Sequence, residues 1–180
     1  MVAKSPPAYY NGSRKQGGGS MTNAEQVLRI IWDGMETMCV DFKRDFYKNL
    51  HATDFIKDIA AFANCDAEGD KWIIFGVDDK TRTLTGIDPY SYLTVDAMDQ
   101  YISVAIEPFV HIESELFQYD DNILAYIKIC ADNTDRPYVV KETCGKNGQI
   151  EKGDIYIRKG TCNLKADRRD IDEMYERKGE

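Results

Sequence analysis

Acidic residues lie at two points of the sequence where they could handle phosphate chemistry. Glu36 and Asp41 are five residues apart at the start of a predicted strand, and Asp78 and Asp79 directly follow the apolar run KWIIFGV. Strand ends often carry functional residues, because the scaffold is rigid and the loop is exposed. Carboxylate oxygens are the ligands that Mg²⁺ and Mn²⁺ prefer, and such an ion lowers the pKa of an attacking water. Three of these acids, if they converge, would form a divalent-cation site.

A lysine accompanies the first pair of acids. Lys43 follows Asp41 by two residues in a segment that alternates like a strand, so the two side chains face the same side. At that position, Lys43 could contact the phosphate group in the transition state of a phosphoryl-transfer reaction. The alternative is an amphipathic edge strand followed by a solvated Asp-Asp turn. Because 31 of the 180 residues are Asp or Glu, spacing alone leaves both alternatives open.

Basic residues gather late in the chain against an acidic background. The formal net charge of −8 argues against a general nucleic-acid coat protein, because such binding depends on neutralising phosphates. A run of like charge is usually a solvated face, but on one side of the fold it would attract a phosphate backbone. The residues concerned are Lys152, Arg158, Lys159, Lys165, Arg168 and Arg169.

Cysteine and histidine show no metal-site spacing. The five cysteines are scattered without a C-x-x-C pair, and His51 and His111 are the two histidines of the chain. This pattern favours reduced thiols and excludes a histidine-rich metal site.

The predicted elements alternate helices with antiparallel hairpins. Asn23 and Thr53 are predicted helix caps, and Asp120 and Asp121 form the turn of a hairpin. Pro108 closes the third helix. The predicted fold class is therefore α+β, with a mixed, largely antiparallel sheet and flanking helices. Helices are predicted over residues 22–35, 53–64, 94–109 and 165–178, and strands over 39–46, 71–77, 111–119, 122–130, 136–142 and 154–160.

The first twenty residues differ in composition from the rest. Residues 1–20 contain turn formers and end in GGGS, which is typical of a flexible linker. We interpret them as a tag, a fused peptide or a flexible tail, and residues 21–180 as a single domain. No apolar run approaches the roughly 20 residues of a membrane helix, and no secretory signal opens the chain. We therefore expect a cytoplasmic protein without a membrane partner.

Several further residues are expected to serve the fold. Asn64 is predicted to end a helix rather than contact a ligand, and Gly76 to permit close packing. Arg136 is predicted to pair with an acid. Tyr138 and Tyr156 could stack on bases, although aromatic residues in strands are more often half-buried core.

Five short motifs in order between Glu36 and Ala166 resemble the Schlafen-type AlbA-like domain family. They are ETMCVDFKRDF, DIAAFANC, WIIFGVDDKTRTLTGID, RPYVV and DIYIRKGTCNLKA. Some members of that family are RNA endonucleases that use three carboxylates and a divalent metal, and others are nucleic-acid-binding modules. The resemblance therefore implies a Schlafen AlbA-like fold. It also implies binding or cleavage of RNA, either tRNA-like or single-stranded, or of DNA.

The resemblance also implies roles for particular residues. Glu36, Asp41 and Asp79 stand at the acidic positions of the nuclease members, where they would hold Mg²⁺ or Mn²⁺ and act in catalysis. Lys43 would stabilise the developing phosphate charge. The implied nucleic-acid-binding residues are Arg158, Lys159, Lys165, Arg168 and Arg169.

This sequence departs from the family pattern at two places. Asp41 stands where Glu is usual, so its carboxylate reaches about one methylene less far, and CDAEGDK replaces a Thr-x-Gly-Gly loop. Nuclease members often pair two such domains, so a single copy implies a homodimer. A metal-dependent endoribonuclease and a non-catalytic nucleic-acid- or peptide-binding regulatory module are therefore both compatible with the sequence.

Overall fold

The computed structural model describes residues 21–34, 36–48, 53–144 and 149–177. The predicted tag, fused peptide or tail at residues 1–20 lies outside the described residues. The chain divides into two compact units, residues 1–35 and 36–180. No helix in the described ranges has the length and apolar character needed to cross a membrane.

The described part of the first unit is one helix, α1 (Asn23–Asp33). The Thr22 hydroxyl accepts a hydrogen bond from the Glu25 N–H, and the Glu25 carboxylate accepts one from the Thr22 N–H. This reciprocal capping box makes Thr22 the N-cap, so the prediction of Asn23 was wrong by one residue. Gly34, with φ of 70°, ends the helix through a hydrogen bond to Ile30.

The second unit has the predicted α+β composition. Its main sheet has the strand order β1-β2-β5-β4, in which β1 runs parallel to β2 and the other pairs are antiparallel. The elements are β1 (Val40–Lys43), α2 (Thr53–Ala63), β2 (Lys71–Phe75), a 3₁₀ helix (Pro89–Ser91), α3 (Val95–Ala105), β3 (Ile106–Glu107), β4 (Ile112–Tyr119), β5 (Asn122–Ile129), β6 (Val139–Val140), β7 (Tyr156–Lys159), β8 (Cys162–Lys165) and α4 (Arg168–Arg177).

The predicted hairpin is confirmed. Tyr119 pairs with Asn122 across a two-residue turn, and Asp120 adopts a φ of 48°. Asp and Asn tolerate this left-handed conformation better than most residues, which suits the Asp-Asp turn.

Several elements differ from the sequence prediction. β1 ends at Lys43 although the predicted strand runs to residue 46, and β6 covers only Val139–Val140 of the predicted strand 136–142. α3 ends at Ala105, four residues before the predicted end, because Ile106 leaves the helix and pairs with Val140. β8 was not predicted, since its residues carry no clear alternation. It forms a hairpin with β7, in which Ile157 lies opposite Leu164.

α2 is the most deeply buried helix of the second unit. Eight of its eleven residues are buried, among them the charged residue Asp58. Phe55, Ile59 and Phe62 belong to the main hydrophobic core, together with Ile73 and Phe75 of β2. Because α2 is anchored in this way, the polar side chains that it carries toward β1 have fixed positions.

Gly76 ends β2 where the chain passes close to another strand. Its φ is +88°, and a Cβ there would lie 2.8 Å from the Leu124 Cδ2 atom and 3.2 Å from the Gly86 backbone. The prediction of close packing at Gly76 is confirmed, and the turn sets the direction of the loop that carries Asp78 and Asp79.

We expect Gly76→Ala to lower the free energy of unfolding by about 2–5 kcal/mol, because backbone strain adds to a steric clash. Gly153→Ala is the matched control, since Gly153 has a φ of +91° but no atom within 4 Å of the new Cβ. It should lose only the strain, about 1–2 kcal/mol. Urea unfolding measures both values, and equal losses would contradict the close approach at Gly76.

Candidate functional site

A buried arginine closes the outer edge of β1. The Arg158 side chain is 0% exposed, and its Nη2 donates to the Val40 carbonyl at 3.1 Å and to Asp41 Oδ1 at 3.2 Å. Its Nη1 donates to Asn163 Oδ1 at 2.9 Å, and the guanidinium lies 4.3 Å from the Phe62 ring centroid. Arg158 thus ties β7, β8 and α2 to the edge strand. Arg158 was predicted to bind nucleic acid. In the structure its side chain is buried, so it cannot contact a ligand at the surface.

Lys43 bridges two carboxylates on the inner side of β1. Its Nζ lies 3.0 Å from Asp41 Oδ2 and 2.9 Å from Asp58 Oδ2. Tyr47 donates its hydroxyl to Asp58 Oδ2 at 2.6 Å, and Asn163 Nδ2 donates to Asp58 Oδ1 at 2.6 Å. The expected same-side placement of Asp41 and Lys43 is therefore observed, with Asp58 as a third charged member.

The burial and the charges of this network fix the protonation states of Lys43 and Tyr47. Burial acts to lower the pKa of Lys43, but the charges of Asp58 and Asp41 outweigh it and the pKa is raised. Burial, and then the Asp58 charge, raise the pKa of Tyr47 well above its usual value. Lys43 therefore stays charged and Tyr47 stays neutral at neutral pH.

Glu36 satisfies a backbone group at the same edge of the sheet. Its Oε1 accepts the Phe42 N–H at 3.2 Å and lies 3.8 Å from Arg82 Nη1. The Arg82 guanidinium lies 4.6 Å from the centroid of the Phe42 ring. An edge strand exposes unpaired N–H and C=O groups, and Glu36 covers one of them as Arg158 covers another.

The two acids after β2 have different environments. Asp78 Oδ1 accepts the Thr81 N–H at 2.8 Å and the Lys80 N–H at 3.1 Å. The Thr81 backbone is the main cause that lowers the pKa of Asp78. Asp79 is exposed, and in the described part of the chain it has no hydrogen bond or ion pair. Asp78 therefore builds the turn, while Asp79 remains open to a ligand.

Glu36, Asp41 and Asp79 have suitable donor atoms for Mg²⁺ or Mn²⁺ but not a suitable arrangement. Among the described residues, their carboxylate oxygens do not all lie within 4.8 Å of one another. Both oxygens of Asp41 already contact cations, Lys43 and Arg158. As arranged, these acids do not fit the ion, and their metal-binding role stays a prediction.

Four of the five exposed residues of the predicted basic cluster have an acidic neighbour, and the fifth, Lys152, has no ion pair in the described part of the chain. A surface ion pair adds little stability, but its carboxylate offsets the positive field that would attract phosphate. Their role in nucleic-acid binding stays a prediction. The N···O distances are 2.6 Å for Lys159–Asp170, 2.6 Å for Lys165–Asp154, 3.6 Å for Arg168–Asp172 and 2.9 Å for Arg169–Glu173.

A cleft of about 610 Å³ lies beside the Lys43 network, and Lys43, Lys48 and Lys57 line it. Lys48 and Lys57 have no acidic partner among the residues that the structure describes. Asp45 and Asp54 also line this cleft. Lys48 and Lys57 were not among the predicted site residues. In the sequence, Lys48 lies just beyond the first predicted strand, and Lys57 lies on the polar side of the helical pattern of α2. These positions were the available signal for the two residues.

Asn64 and two tyrosines serve the fold. Asn64 Nδ2 donates to the carbonyls of Tyr138 and Tyr156, both at 2.8 Å, and its Oδ1 accepts the Tyr138 N–H at 2.7 Å. Both tyrosines are buried, which confirms the core interpretation and leaves neither ring free to stack on a base. Arg136 lies 3.3 Å from Asp66, as the predicted structural pair.

Residues that looked scattered in sequence meet at the open end of the β4-β5 hairpin. The atoms of His111, Cys130 and Asp132 that could ligate a metal lie within 4.8 Å of one another. His111 Nδ1 is 2.8 Å from Asp132 Oδ2. Burial, and then the Glu113 charge, raise the pKa of Cys130 to about 12, so the thiol stays protonated. Only the strand pairing brings these residues together, and sequence spacing carried no signal for it.

The family model described as Schlafen, AlbA_2 matches residues 36–167, most of the chain. The chain belongs to the Schlafen AlbA_2 family. Its matched segment begins at Glu36 and includes β1, β2 and both hairpins described above. No curated protein matches the chain significantly.

Two solved structures are similar to this AlbA_2 chain. The DIP2311 protein from Corynebacterium diphtheriae is 19% identical with a TM-score of 0.53, over 85% of this chain and 27% of that one. The N-terminal domain of a RecG-related DNA helicase protein from Nitrosomonas europaea is 22% identical with a TM-score of 0.46, over 74% of this chain and 89% of that one. The chain thus spans about a quarter of DIP2311, and that similarity bears on the fold alone. The second bears on neither fold nor function.

We expect Asp154→Asn to weaken the fold at neutral pH but not in strong acid. Burial acts to raise the pKa of Asp154, but hydrogen bonds from Lys165, Glu151 and Tyr156 outweigh it and the pKa is lowered. The stability that Asp154 contributes is therefore present above the usual Asp pKa of about 3.9 and is lost as pH falls through its lower folded value.

Thermal unfolding between pH 7 and pH 2 tests this expectation. The gap between wild type and Asp154→Asn should be widest at pH 7 and should close in acid. Asp172→Asn, at an exposed pair, should show little gap at any pH. A gap at Asp154 that does not change with pH would contradict the assigned contacts.

Proposed function

We propose that this Schlafen AlbA_2 domain binds nucleic acid, either RNA (tRNA-like or single-stranded) or DNA. The observation that carries the proposal is the cleft beside β1, where Lys48 and Lys57 present ammonium groups without acidic partners among the described residues. Membership of the AlbA_2 family supports the same function. The cleft is a better candidate for the phosphate backbone than the late basic cluster, because four of the five exposed cations there already face an acid.

Lys43 has a different part in this proposal. Its contacts with Asp41 and Asp58 fix the ammonium in the lining of the cleft and keep it charged. Tyr47 and Asn163 hold Asp58 in turn. The network therefore gives the cleft a rigid wall, while Lys48 and Lys57 supply the charges that meet phosphate.

Removing the two cleft lysines should weaken nucleic-acid binding. We expect the Lys48→Ala/Lys57→Ala double variant to lose affinity for labelled RNA in fluorescence anisotropy. With single-stranded RNA, the slope of log affinity against log salt should fall by about 1.4, since each lost phosphate contact removes about 0.7.

Arg168→Ala/Arg169→Ala is the matched control, because it removes the same charge from an exposed helix. It should leave affinity and salt slope nearly unchanged. If the control loses more affinity than the cleft variant, the late cluster is the binding face. If wild type binds no RNA, tRNA or DNA at low salt, the proposed function fails.

A second candidate function is phosphodiester cleavage as a metal-dependent endoribonuclease. It is favoured by acids at all three family positions, Glu36, Asp41 and Asp79, and by the open carboxylate of Asp79. This function requires the three carboxylates to move closer together around Mg²⁺ or Mn²⁺, because in the arrangement described they do not fit one ion. Lys43 would contribute a fixed positive charge beside Asp41.

We expect a cleaving wild type to require Mg²⁺ or Mn²⁺, to stop in EDTA, and to lose activity in Asp79→Asn, which is nearly isosteric but removes one charge. Asp121→Asn, an exposed hairpin-turn acid, controls for a general charge effect and for a contaminating nuclease. Gel analysis of labelled tRNA, single-stranded RNA and DNA measures cleavage. Wild type that binds but never cuts would leave the domain as a regulatory binding module.

A further inference from the structure

β4 forms one outer edge of the main sheet and is eight residues long. Tyr119 and Asn122 flank a two-residue turn, so they form a hydrogen-bonded pair. Counting back from Tyr119, every second residue of β4 forms backbone hydrogen bonds with β5. The backbone groups of the intervening residues point away from β5. These residues are Ile112, Ser114, Leu116 and Gln118.

The outward N–H and C=O groups of these four residues have no hydrogen-bond partner in the described ranges. β1, at the opposite edge, is covered by contacts to Glu36 and Arg158. Among the described residues, β4 has no such cover. Unpaired edge groups are a template for another strand.

We propose that β4 pairs antiparallel with β4 of a second copy of this chain, in the two-fold register centred on Leu116. The two four-stranded sheets would then continue as one across the dimer. The pairing rests on the geometry of the edge and does not depend on nucleic-acid binding.

Charge excludes two of the alternative registers. Centring the two-fold axis on Glu115 would place Glu115 opposite its own copy, and centring it on Ser114 would place Glu113 opposite Glu115. Like charges directly opposite each other destabilise a strand pair. Centring on Leu116 avoids both contacts, because Glu115 faces Phe117 and Glu113 faces Tyr119 of the second copy.

Side chains on the other face also suit this register. Leu116, which is partly exposed, meets its own copy on the two-fold axis, and Ser114 lies opposite Gln118. A single strand pair buries little area, so the dimer should be weak. Since each chain carries a net charge of −8, association should strengthen as salt screens the repulsion.

Sedimentation equilibrium over a concentration series tests the pairing. Wild type should show a concentration-dependent monomer–dimer equilibrium that shifts toward dimer with added salt. Phe117→Glu places an acid opposite Glu115 and should weaken association at least tenfold. The double variant Glu115→Lys/Phe117→Glu places a lysine opposite that new acid and should restore association.

Gln118→Pro provides an independent test at the backbone. The Gln118 N–H points outward, so proline should be tolerated in the monomer but should remove hydrogen bonds of the dimer. Circular dichroism confirms that each variant is folded. Wild type that stays monomeric up to about 1 mM, the weak end of measurable affinity, would overturn the proposal. So would a Phe117→Glu variant that dimerises normally, or a double variant that does not recover.

Discussion

The burial of one positive charge, that of Arg158, constrains the whole region around β1. A buried charge is tolerated when it is paired and hydrogen-bonded. Asp41 supplies the counter-charge, Asn163 and the Val40 carbonyl supply acceptors, and Phe62 supplies an aromatic face. β7, β8, α2 and β1 therefore meet at one guanidinium, although they are distant in sequence.

This constraint changes the interpretation of the acids and bases near β1. Asp41 balances Lys43 and Arg158, and Asp58 balances Lys43, so much of the local charge is used within the protein. Charges still available to a ligand include those of Lys48 and Lys57 on the cleft and of Asp79 after β2. The proposed nucleic-acid binding would thus depend mainly on residues that surround the network.

The fold was largely predictable from sequence, because periodicity and turn chemistry are local. The β4-β5 hairpin followed from two alternating runs around Asp120 and Asp121. The early end of α3 and the presence of β8 were not predictable, since strand pairing decided both. Arg158 was assigned to the surface because a sequence shows charge but not burial. Lys48 and Lys57 were missed for the same reason, since only the fold shows which lysines form no ion pair among the described residues.

A double-mutant cycle between Asp41 and Arg158 tests the central constraint most directly. Urea unfolding would compare wild type, Asp41→Asn, Arg158→Met and the double variant, beside the exposed pair Arg168 and Asp172 treated alike. We predict a coupling of about 1.5–3 kcal/mol for the buried pair and below about 0.5 kcal/mol for the exposed one. Additive effects at Asp41 and Arg158, within about 0.5 kcal/mol, would contradict the organising role of the buried arginine.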